Sequence, residues 1–246
     1  MWERSGEHGR YRVRASAVLC LLLIVSTPVG ATAEEGCIAV IGTGMVGGAL
    51  GPRFAGLGKR IVYGSRTPEA DRVTALVART AAGARAALPQ TAARACQTIV
   101  FAVPWEAAEA SLRSLGDVRG KLIIDVTNPL TVRDGREVAL EVPNSGGELV
   151  QSWAAGATVV KAFNTVNYAV MAHPELAGGP VSVPIAGDDA GAKARVAELA
   201  SGIGLEPIDV GPLRTARYTE HMALLYVSRL VSGAPPFEFH LRLRPR

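Results

Sequence analysis

Three glycines at fixed spacing are the first residues of the sequence whose arrangement indicates chemistry. Gly42, Gly44 and Gly47 directly follow the apolar run at residues 38–41 and open a segment of helical character. In such a context the first glycine permits a tight turn, the second lets a pyrophosphate approach the backbone, and the third lets the helix pack closely on the strand. Free N–H groups at the start of the helix favour an anion. The motif predicts a dinucleotide-binding site, and an ordinary glycine-rich turn is the alternative.

A second group of polar residues follows the apolar run at residues 60–63. Sites for NAD place an aspartate or glutamate at this point, which accepts hydrogen bonds from the ribose 2′-hydroxyl. This sequence has no carboxylate there and offers Ser65, Arg66 and Thr67 instead. Hydroxyl groups and a guanidinium are hydrogen-bond donors, which suit the dianionic 2′-phosphate of NADP. The pattern favours NADP(H) over NAD(H), and a solvated arginine in a turn is the alternative.

Three further motifs follow apolar runs later in the chain. Val103 and Pro104 close one run, Asn128 follows the next, and Asn164 follows the one after. Ligands of open α/β sheets bind outside the carboxyl ends of the strands. These residues are therefore expected on the rim where a nicotinamide and its reaction partner would lie. Each motif alone also fits a plain strand–turn connection.

The elements that would position these residues are indicated by short apolar runs alternating with helical segments. The strand candidates are residues 38–41, 60–63, 84–86, 98–103, 122–126, 158–163, 181–186 and 207–210. Continuous apolar strands separated by helices favour a parallel sheet covered on both faces. The sequence predicts a doubly wound, mostly parallel α/β Rossmann fold with a short C-terminal α/β extension. The polar, turn-rich residues 131–147 are predicted to form a long loop.

The domain boundaries follow from a change of character near residue 34. Arg10, Arg12 and Arg14 precede an apolar run at residues 15–25, and Ala-Thr-Ala occupies residues 31–33. This is the layout of a secretory signal peptide, and the run is shorter than the roughly 20 residues that span a bilayer. We expect a signal peptide at residues 1–33 and an exported or periplasmic protein. A cytoplasmic protein with an N-terminal extension is the alternative. Residues 34–180 are predicted to form the NADP-binding domain, and residues 181–246 a strand and helix extension that completes it.

Composition and charge exclude other classes of function. Hydrophobic residues make up 48% of the chain and charged residues 20%, which supports a buried core. The formal net charge is +4, too balanced to predict a nucleic-acid partner. The four histidines form no metal-binding spacing, so no metal site is predicted.

Cys37 and Cys96 lie at the beginning of two strands that are expected to be neighbours in the sheet. A disulfide between them and two buried free thiols both fit this position.

Taken in order, the motifs resemble the NADPH-dependent reductases of coenzyme F420. The resemblance rests on the sequences IGTGMVG, GSRTP, AVPW, DVTNPL and VVKAFNT, and continues through residues 186–189 and 211–218. Members of that family transfer a hydride between NADP(H) and a deazaflavin, and relatives pass it to flavins that reduce metals. The resemblance covers roughly residues 37–231.

The resemblance implies roles for individual residues. The pyrophosphate would be held by the three glycines with backbone groups of Thr43, Met45 and Val46. The 2′-phosphate would be held by Ser65, Arg66 and Thr67. The nicotinamide end would be lined by Val103, Pro104, Asn128 and Asn164. Hydride transfer between two ring systems needs alignment more than an acid or a base, so no catalytic residue is assigned.

Two other functions remain open beside an NADP(H)-dependent reductase of F420 or a flavin-like small-molecule acceptor. One is a non-catalytic NADP-binding module that serves as a sensor or partner subunit. The other, a reductase of small imines or hydroxy acids, commonly adds a large helical domain, for which little chain remains after residue 211. Residues 215–231 form a helix candidate with large apolar groups on more than one face, which predicts a homodimer that buries part of it.

Overall fold

An eight-stranded sheet forms the centre of the protein in a computed structural model, which describes residues 1–2, 34–80, 83–135, 137–140, 142–232 and 240–243. The strands, including those of a separate hairpin, are β1 (Glu34–Ile41), β2 (Arg60–Gly64), β3 (Arg85–Ala87), β4 (Cys96–Phe101), β5 (Leu122–Asp125), β6 (Leu130–Arg133), β7 (Glu137–Leu140), β8 (Thr158–Lys161), β9 (Ser182–Gly187) and β10 (Glu206–Gly211). The helices are α1 (Met45–Gly56), α2 (Asp71–Arg79), α3 (Pro89–Ala95), α4 (Ala108–Arg113), α5 (Gly146–Trp153), α6 (Tyr168–Ala172), α7 (Ala190–Gly202) and α8 (Ala216–Val231).

The strands of the large sheet lie in the order β10-β9-β8-β5-β4-β1-β2-β3. β1 pairs in parallel with both β2 and β4, and the parallel pairing continues through β5 to β8. β9 runs antiparallel to β8 and parallel to β10, so the C-terminal part of the chain extends one edge of the sheet. The predicted doubly wound, mostly parallel Rossmann fold is confirmed.

The apolar runs of the sequence form strands because both faces of the sheet are buried. Along β1, Ile38 and Val40 belong to the core on one face, while Ala39 and Ile41 belong to the core on the other. Alternate side chains of a strand point to opposite faces, so a strand covered on both sides is continuously apolar.

The topology also determines where a ligand can bind. β1 and β4 are neighbours, and the chain leads from β1 towards β2 and β3 on one side and from β4 towards β5 on the other. Such a reversal leaves a crevice outside the carboxyl ends of the two strands. The glycine motif at residues 42–47 lies at this point, directly after β1.

The prediction of a long loop at residues 131–147 is wrong. β6 and β7 form an antiparallel hairpin in which Leu130 pairs with Leu140, and α5 already begins at Gly146. At the hairpin tip Asp134 and Gly135 adopt φ of 50° and 67°, the left-handed conformations that short hairpin turns require. The hairpin strands have four residues each and are half-buried or exposed, so they lack the long apolar run by which the other strands are recognised.

Cys37 and Cys96 are joined by a disulfide, which decides between the two states that the sequence allowed. Both residues are buried, and their Cα atoms lie 4.9 Å apart. The bridge ties β1 to the start of β4 at the sheet end opposite the glycine motif.

The predicted signal peptide at residues 1–33 lies outside the described residues, apart from Met1 and Trp2. Among the helices that the structure describes, none combines the length and the apolar character that crossing a membrane requires.

Candidate active site

A cavity of about 1030 Å³ opens at the carboxyl ends of β1, β2, β4 and β5. Its wall includes most of the residues that the sequence analysis selected, although they are far apart in the chain. These are Gly42, Thr43, Gly44, Met45, Val46, Ser65, Arg66, Thr67, Val103, Pro104 and Asn128. Two of the selected residues, Gly47 and Asn164, are not part of this wall.

The glycine motif has the geometry that a pyrophosphate site needs. Gly42 has φ of 105°, and a Cβ atom there would overlap the carbonyl oxygen of Ala102. A Cβ at Gly47 would overlap the carbonyl oxygen of Gly42, so Gly47 is required for close packing of α1 on β1. A Cβ at Gly44 would meet nothing within 4 Å, which leaves open space beside the backbone.

The start of α1 is prepared for a negatively charged group. Its N-cap, Gly44, has no side chain to cap the helix, and the first turn contains no acidic residue. The first N–H groups of a helix have no partner within the helix and carry partial positive charge. The start of α1 and the open space at Gly44 together form a part of the cavity that fits the pyrophosphate of a dinucleotide.

One end of the cavity is bordered by Ser65, Arg66 and Thr67. Ser65 is buried and its Oγ accepts a hydrogen bond from the Thr67 backbone N–H at 3.2 Å, which closes a tight turn. Arg66 is exposed, and within the described part of the chain its guanidinium has no ion-pair or hydrogen-bond partner. A cationic fork at the edge of the cavity, with no carboxylate beside it, fits a 2′-phosphate.

Sequence reasoning missed a second arginine at this end. Arg72 lines the same cavity, and its Nη1 lies 3.5 Å from Oγ1 of Thr43. Arg72 is in the first turn of α2, where the helix dipole disfavours a cation. A basic residue at a helix start just after the second strand was therefore a signal that an anion could bind here.

The predicted nicotinamide end contains two asparagines that follow different strands. Nδ2 of Asn128 donates to the carbonyl oxygen of Asn164 at 2.9 Å, and Nδ2 of Asn164 donates to Oδ1 of Asn128 at 3.0 Å. Phe163, which precedes Asn164, is fully buried and has φ of 63°, a conformation that is rare for a bulky residue. The chain therefore turns sharply after β8, immediately before Asn164.

Asn164 lines a second, smaller cavity of about 230 Å³ that adjoins the first. Met45, Val46 and Asn128 belong to the walls of both cavities. The rest of the second wall comes from the segment between β8 and α6, from the first residue of α6 and from α8, namely Asn164, Thr165, Val166, Asn167, Tyr168, Ala223, Tyr226, Val227 and Leu230. The shared wall means that the two spaces meet at the predicted nicotinamide end.

Two polar atoms of the second cavity lack a partner. Oδ1 of Asn164 and Oγ1 of Thr165 are buried and make no hydrogen bond within the described part of the protein. Unpaired buried polar atoms are costly, so they indicate that something polar binds beside them. The sequence analysis had selected Asn164 but not Thr165.

A buried charged cluster lies behind the two cavities. Nζ of Lys161 contacts Oδ2 of Asp125 at 2.8 Å, Oε1 of Glu220 at 2.9 Å and the carbonyl oxygen of Thr127 at 2.7 Å. Burial opposes the charged form of Lys161, but attraction by the two carboxylates outweighs burial, and the pKa of Lys161 is raised above its usual value. A lysine within an apolar strand and a glutamate within an apolar helix were the signals for this cluster, but they do not identify their partners.

Among the residues that the structure describes, no group of three or more histidine, cysteine, aspartate or glutamate side chains could hold a metal ion.

Comparison with known proteins agrees with this geometry. A family model described as NADP oxidoreductase, coenzyme F420-dependent, matches residues 37–129. Metalloreductase STEAP3 of Rattus norvegicus is 33% identical over 193 residues, which are 76% of this chain but 36% of that protein. This chain therefore spans little more than a third of the length of that relative.

Two further proteins are similar over nearly their whole length. The F420-dependent NADP reductase of Methanothermobacter thermautotrophicus is 31% identical over 206 residues, which are 78% of this chain and 88% of that protein. The crystal structure of a putative F420-dependent NADP reductase from Arthrobacter sp. FB24 has a TM-score of 0.75 and 31% identity, and the match covers 84% of this chain and 99% of that one. This likeness supports NADP(H) as the nucleotide, and the chain belongs to the F420-dependent NADP oxidoreductase family.

Proposed function

We propose that this protein transfers a hydride between NADPH and a planar acceptor of the deazaflavin or flavin type, with coenzyme F420 as the first candidate. One observation carries the proposal: the large cavity and the small cavity share Met45, Val46 and Asn128 in their walls. A nucleotide that fills the first cavity would end at this shared wall, and an acceptor ring in the second cavity would meet it there.

The protein's part in the reaction is binding and alignment. The open backbone at Gly44 and the start of α1 would hold the pyrophosphate, and Ser65, Arg66 and Thr67 would hold the 2′-phosphate. Val103, Pro104 and Asn128 would border the nicotinamide ring, which supplies the hydride when the nucleotide is bound. Alignment of this kind accounts for a large share of the rate in reactions between two bound cofactors.

The second cavity has the character of an acceptor site. Val166, Ala223 and Val227 give it apolar walls, while Oδ1 of Asn164 and Oγ1 of Thr165 offer polar contacts. An apolar space with a few polar atoms suits the face and the polar edge of a heteroaromatic ring. Apolar walls also keep water away from the point of transfer.

The lining of the second cavity contains no histidine, carboxylate or lysine among the described residues. Such a wall fits direct hydride transfer, in which one proton and two electrons leave NADPH together as a hydride and the acceptor takes any further proton from solvent. NADPH is oxidised to NADP⁺, and the acceptor is reduced by the same two electrons.

A metal ion as the final electron acceptor is the second candidate. The similarity to the metalloreductase from rat favours it, although this chain covers only 36% of that protein. In that case a bound flavin would receive the hydride, and a ferric or cupric chelate would then take electrons one at a time from the reduced flavin.

The decisive experiment is anaerobic NADPH oxidation by the purified protein against F420, FMN, FAD and ferric citrate with and without FMN. NADPH deuterated stereospecifically at C4 should deliver its label to the deazaflavin ring at C5. Turnover of ferric citrate only when FMN is present would favour the second candidate. Tight NADPH binding without turnover of any acceptor would replace the proposal by the non-catalytic module.

A further inference from the structure

The buried cluster of Lys161, Asp125 and Glu220 connects the two cavities. Asp125 and Thr127 lie at the end of β5, beside the nucleotide cavity, and Glu220 is on α8, which forms one wall of the second cavity. Lys161 touches all three, at 2.8 Å from Asp125, 2.7 Å from Thr127 and 2.9 Å from Glu220. An ammonium group has three N–H bonds to donate, and Lys161 makes three such contacts. Its hydrogen-bonding capacity is therefore used completely.

The nucleotide side of the cluster is fixed by further hydrogen bonds. Oδ1 of Asp125 accepts from the backbone N–H of Thr127 at 2.9 Å and from its Oγ1 at 2.7 Å. Thr127 is thereby held by its N–H, its hydroxyl and its carbonyl oxygen. The next residue is Asn128, which belongs to the walls of both cavities. Lys161 therefore contacts, through the carbonyl oxygen of Thr127, the segment that leads directly into the shared wall.

The acceptor side of the cluster is equally well connected. The carboxylate of Glu220 accepts hydrogen bonds from the backbone N–H groups of Gly146 at 2.9 Å and Gly147 at 3.1 Å, at the start of α5. Ala223 and Val227, which line the second cavity, follow Glu220 by three and seven residues and lie on the same face of α8. Glu220 therefore belongs to the same stretch of α8 as the residues of the cavity wall.

Stability alone is a poor explanation for this arrangement. Glu220, Lys161 and Asp125 are at most 1% exposed, and one ammonium faces two carboxylates. Desolvating such charges costs about as much as their attraction returns, and apolar residues in the same space are often at least as stable. Buried ionic groups define directions and distances in a way that apolar contacts do not.

Resting on the proposed NADP(H) site, we propose that Lys161 and Glu220 are positioning residues that couple the two cavities. A nucleotide bound against Thr127 and Asn128 fixes Lys161, Lys161 fixes Glu220, and Glu220 fixes the segment of α8 that faces the acceptor. A bound nucleotide then holds the acceptor wall more firmly in the position that the structure shows.

Hydrogen exchange of the α8 amides, measured by mass spectrometry with and without saturating NADP⁺, tests this coupling without any acceptor. In the wild type NADP⁺ should slow exchange in α8 by about tenfold, within the usual range for coupling between sites. Glu220→Gln keeps the size of the side chain but presents an amide N–H₂ to groups that are all donors. This variant should bind NADP⁺ with nearly unchanged affinity, while NADP⁺ should slow its α8 exchange by less than about twofold, because the link is lost.

Glu148→Gln is the matched control. Glu148 pairs with Arg217 at 3.2 Å and so joins the same two helices, α5 and α8, outside the buried cluster. Its response to NADP⁺ should equal that of the wild type. Glu220→Asp, which keeps the charge and shortens the reach, should respond to an intermediate degree and serves if Glu220→Gln does not fold.

The outcomes separate this inference from the proposed function. Absence of NADP⁺ binding to the wild type would overturn both. NADP⁺ binding without slower α8 exchange in the wild type would overturn the coupling alone, as would a wild-type response in Glu220→Gln. Loss of NADP⁺ affinity in a folded Glu220→Gln would also overturn it, since the cluster would then belong to the nucleotide site itself.

Discussion

Asn128 and Asn164 exchange hydrogen bonds across the ends of β5 and β8, with Nδ2 of each as a donor to an oxygen of the other at 2.9 Å and 3.0 Å. Asn128 is part of both cavity walls, whereas Asn164 faces only the second cavity. The pair therefore forms the partition between the proposed nicotinamide and acceptor sites. Because Oδ1 of Asn164 has no partner among the described residues, it is available to a bound ring.

Replacing Asn164 by alanine should slow hydride transfer more than it weakens NADPH binding. The variant loses one of the two hydrogen bonds that orient Asn128, and a neutral hydrogen bond contributes roughly 0.5–1.5 kcal/mol. This corresponds to a rate that is about two- to tenfold lower. Stopped-flow measurement of NADPH oxidation, with NADPH affinity from fluorescence titration, checks the prediction. The Asn128→Ala, Asn164→Ala double variant should lose less than the sum of the two single losses, because both single variants remove the bond from Nδ2 of Asn164 to Oδ1 of Asn128. Strictly additive losses would contradict this account of the pair.

The exposed face of α8 should mediate a homodimer. Tyr218 and Leu225 lie two helical turns apart on α8, and their side chains are 66% and 59% exposed. Large exposed apolar groups on one face of a helix indicate contact with another protein. Light scattering at micromolar concentration should show a dimer for the wild type and a monomer for Leu225→Glu. Leu176→Glu, at an equally exposed leucine outside α8, should remain dimeric. A monomeric wild type would refute the prediction.

The mature protein should begin at Glu34. Basic residues, an apolar run and a small-residue site precede this position, which is the layout that signal peptidase recognises. An oxidising compartment would also suit the Cys37–Cys96 disulfide, because such bridges persist mainly outside the cytosol. N-terminal sequencing of the protein from its native host is the measurement, and Ala33→Arg, which blocks the small-residue site, is the control. Recovery of intact Met1 from the cytosolic fraction would instead support the N-terminal extension.

The parts of the fold that could be predicted are those in which local sequence and burial agree. Residues 38–41 of β1 and 122–124 of β5 are continuous apolar runs because both faces of the sheet are buried. The glycine spacing after β1 reflects backbone contacts that only glycine permits. The hairpin of β6 and β7 was missed because its short strands bury little apolar surface. Asp134-Gly135 at its tip is nevertheless a known hairpin signal, and it is the feature of this segment that favours a hairpin over a loop.

The parts of the site that could not be predicted depend on contacts between distant segments. Lys161 and Glu220 are each visible as charges among apolar residues, but their pairing depends on the tertiary structure, which brings Glu220 of α8 to Lys161 of β8. The unpaired Oγ1 of Thr165 is likewise a consequence of burial, which a single threonine in a sequence does not reveal. Arg72 had a local signal that also pointed to its ligand, since a cation in the first turn of α2 is unfavourable unless an anion binds near it.

Arg66 should determine the preference for NADP(H) over NAD(H). It lies at the edge of the nucleotide cavity beside Ser65 and Thr67, with no carboxylate paired to it in the described structure. A charge-assisted hydrogen bond contributes roughly 1.5–3 kcal/mol, and about 1.4 kcal/mol corresponds to a factor of ten in affinity. Arg66→Ala should therefore weaken NADPH binding by about ten- to a hundredfold and leave NADH binding nearly unchanged, because NADH lacks the 2′-phosphate.

Isothermal titration calorimetry with both nucleotides measures this difference directly. Arg113→Ala is the matched control, since Arg113 is an exposed arginine that pairs with Glu109 at 2.8 Å and lies outside the cavity wall. Raising the salt concentration should reduce the preference of the wild type for NADPH, because dissolved ions screen the attraction between an exposed guanidinium and the 2′-phosphate. The same salt should have little effect on the Arg66→Ala variant, whose preference is already lost. Equal affinities of the wild type for NADPH and NADH would show that Ser65, Arg66 and Thr67 do not bind a 2′-phosphate.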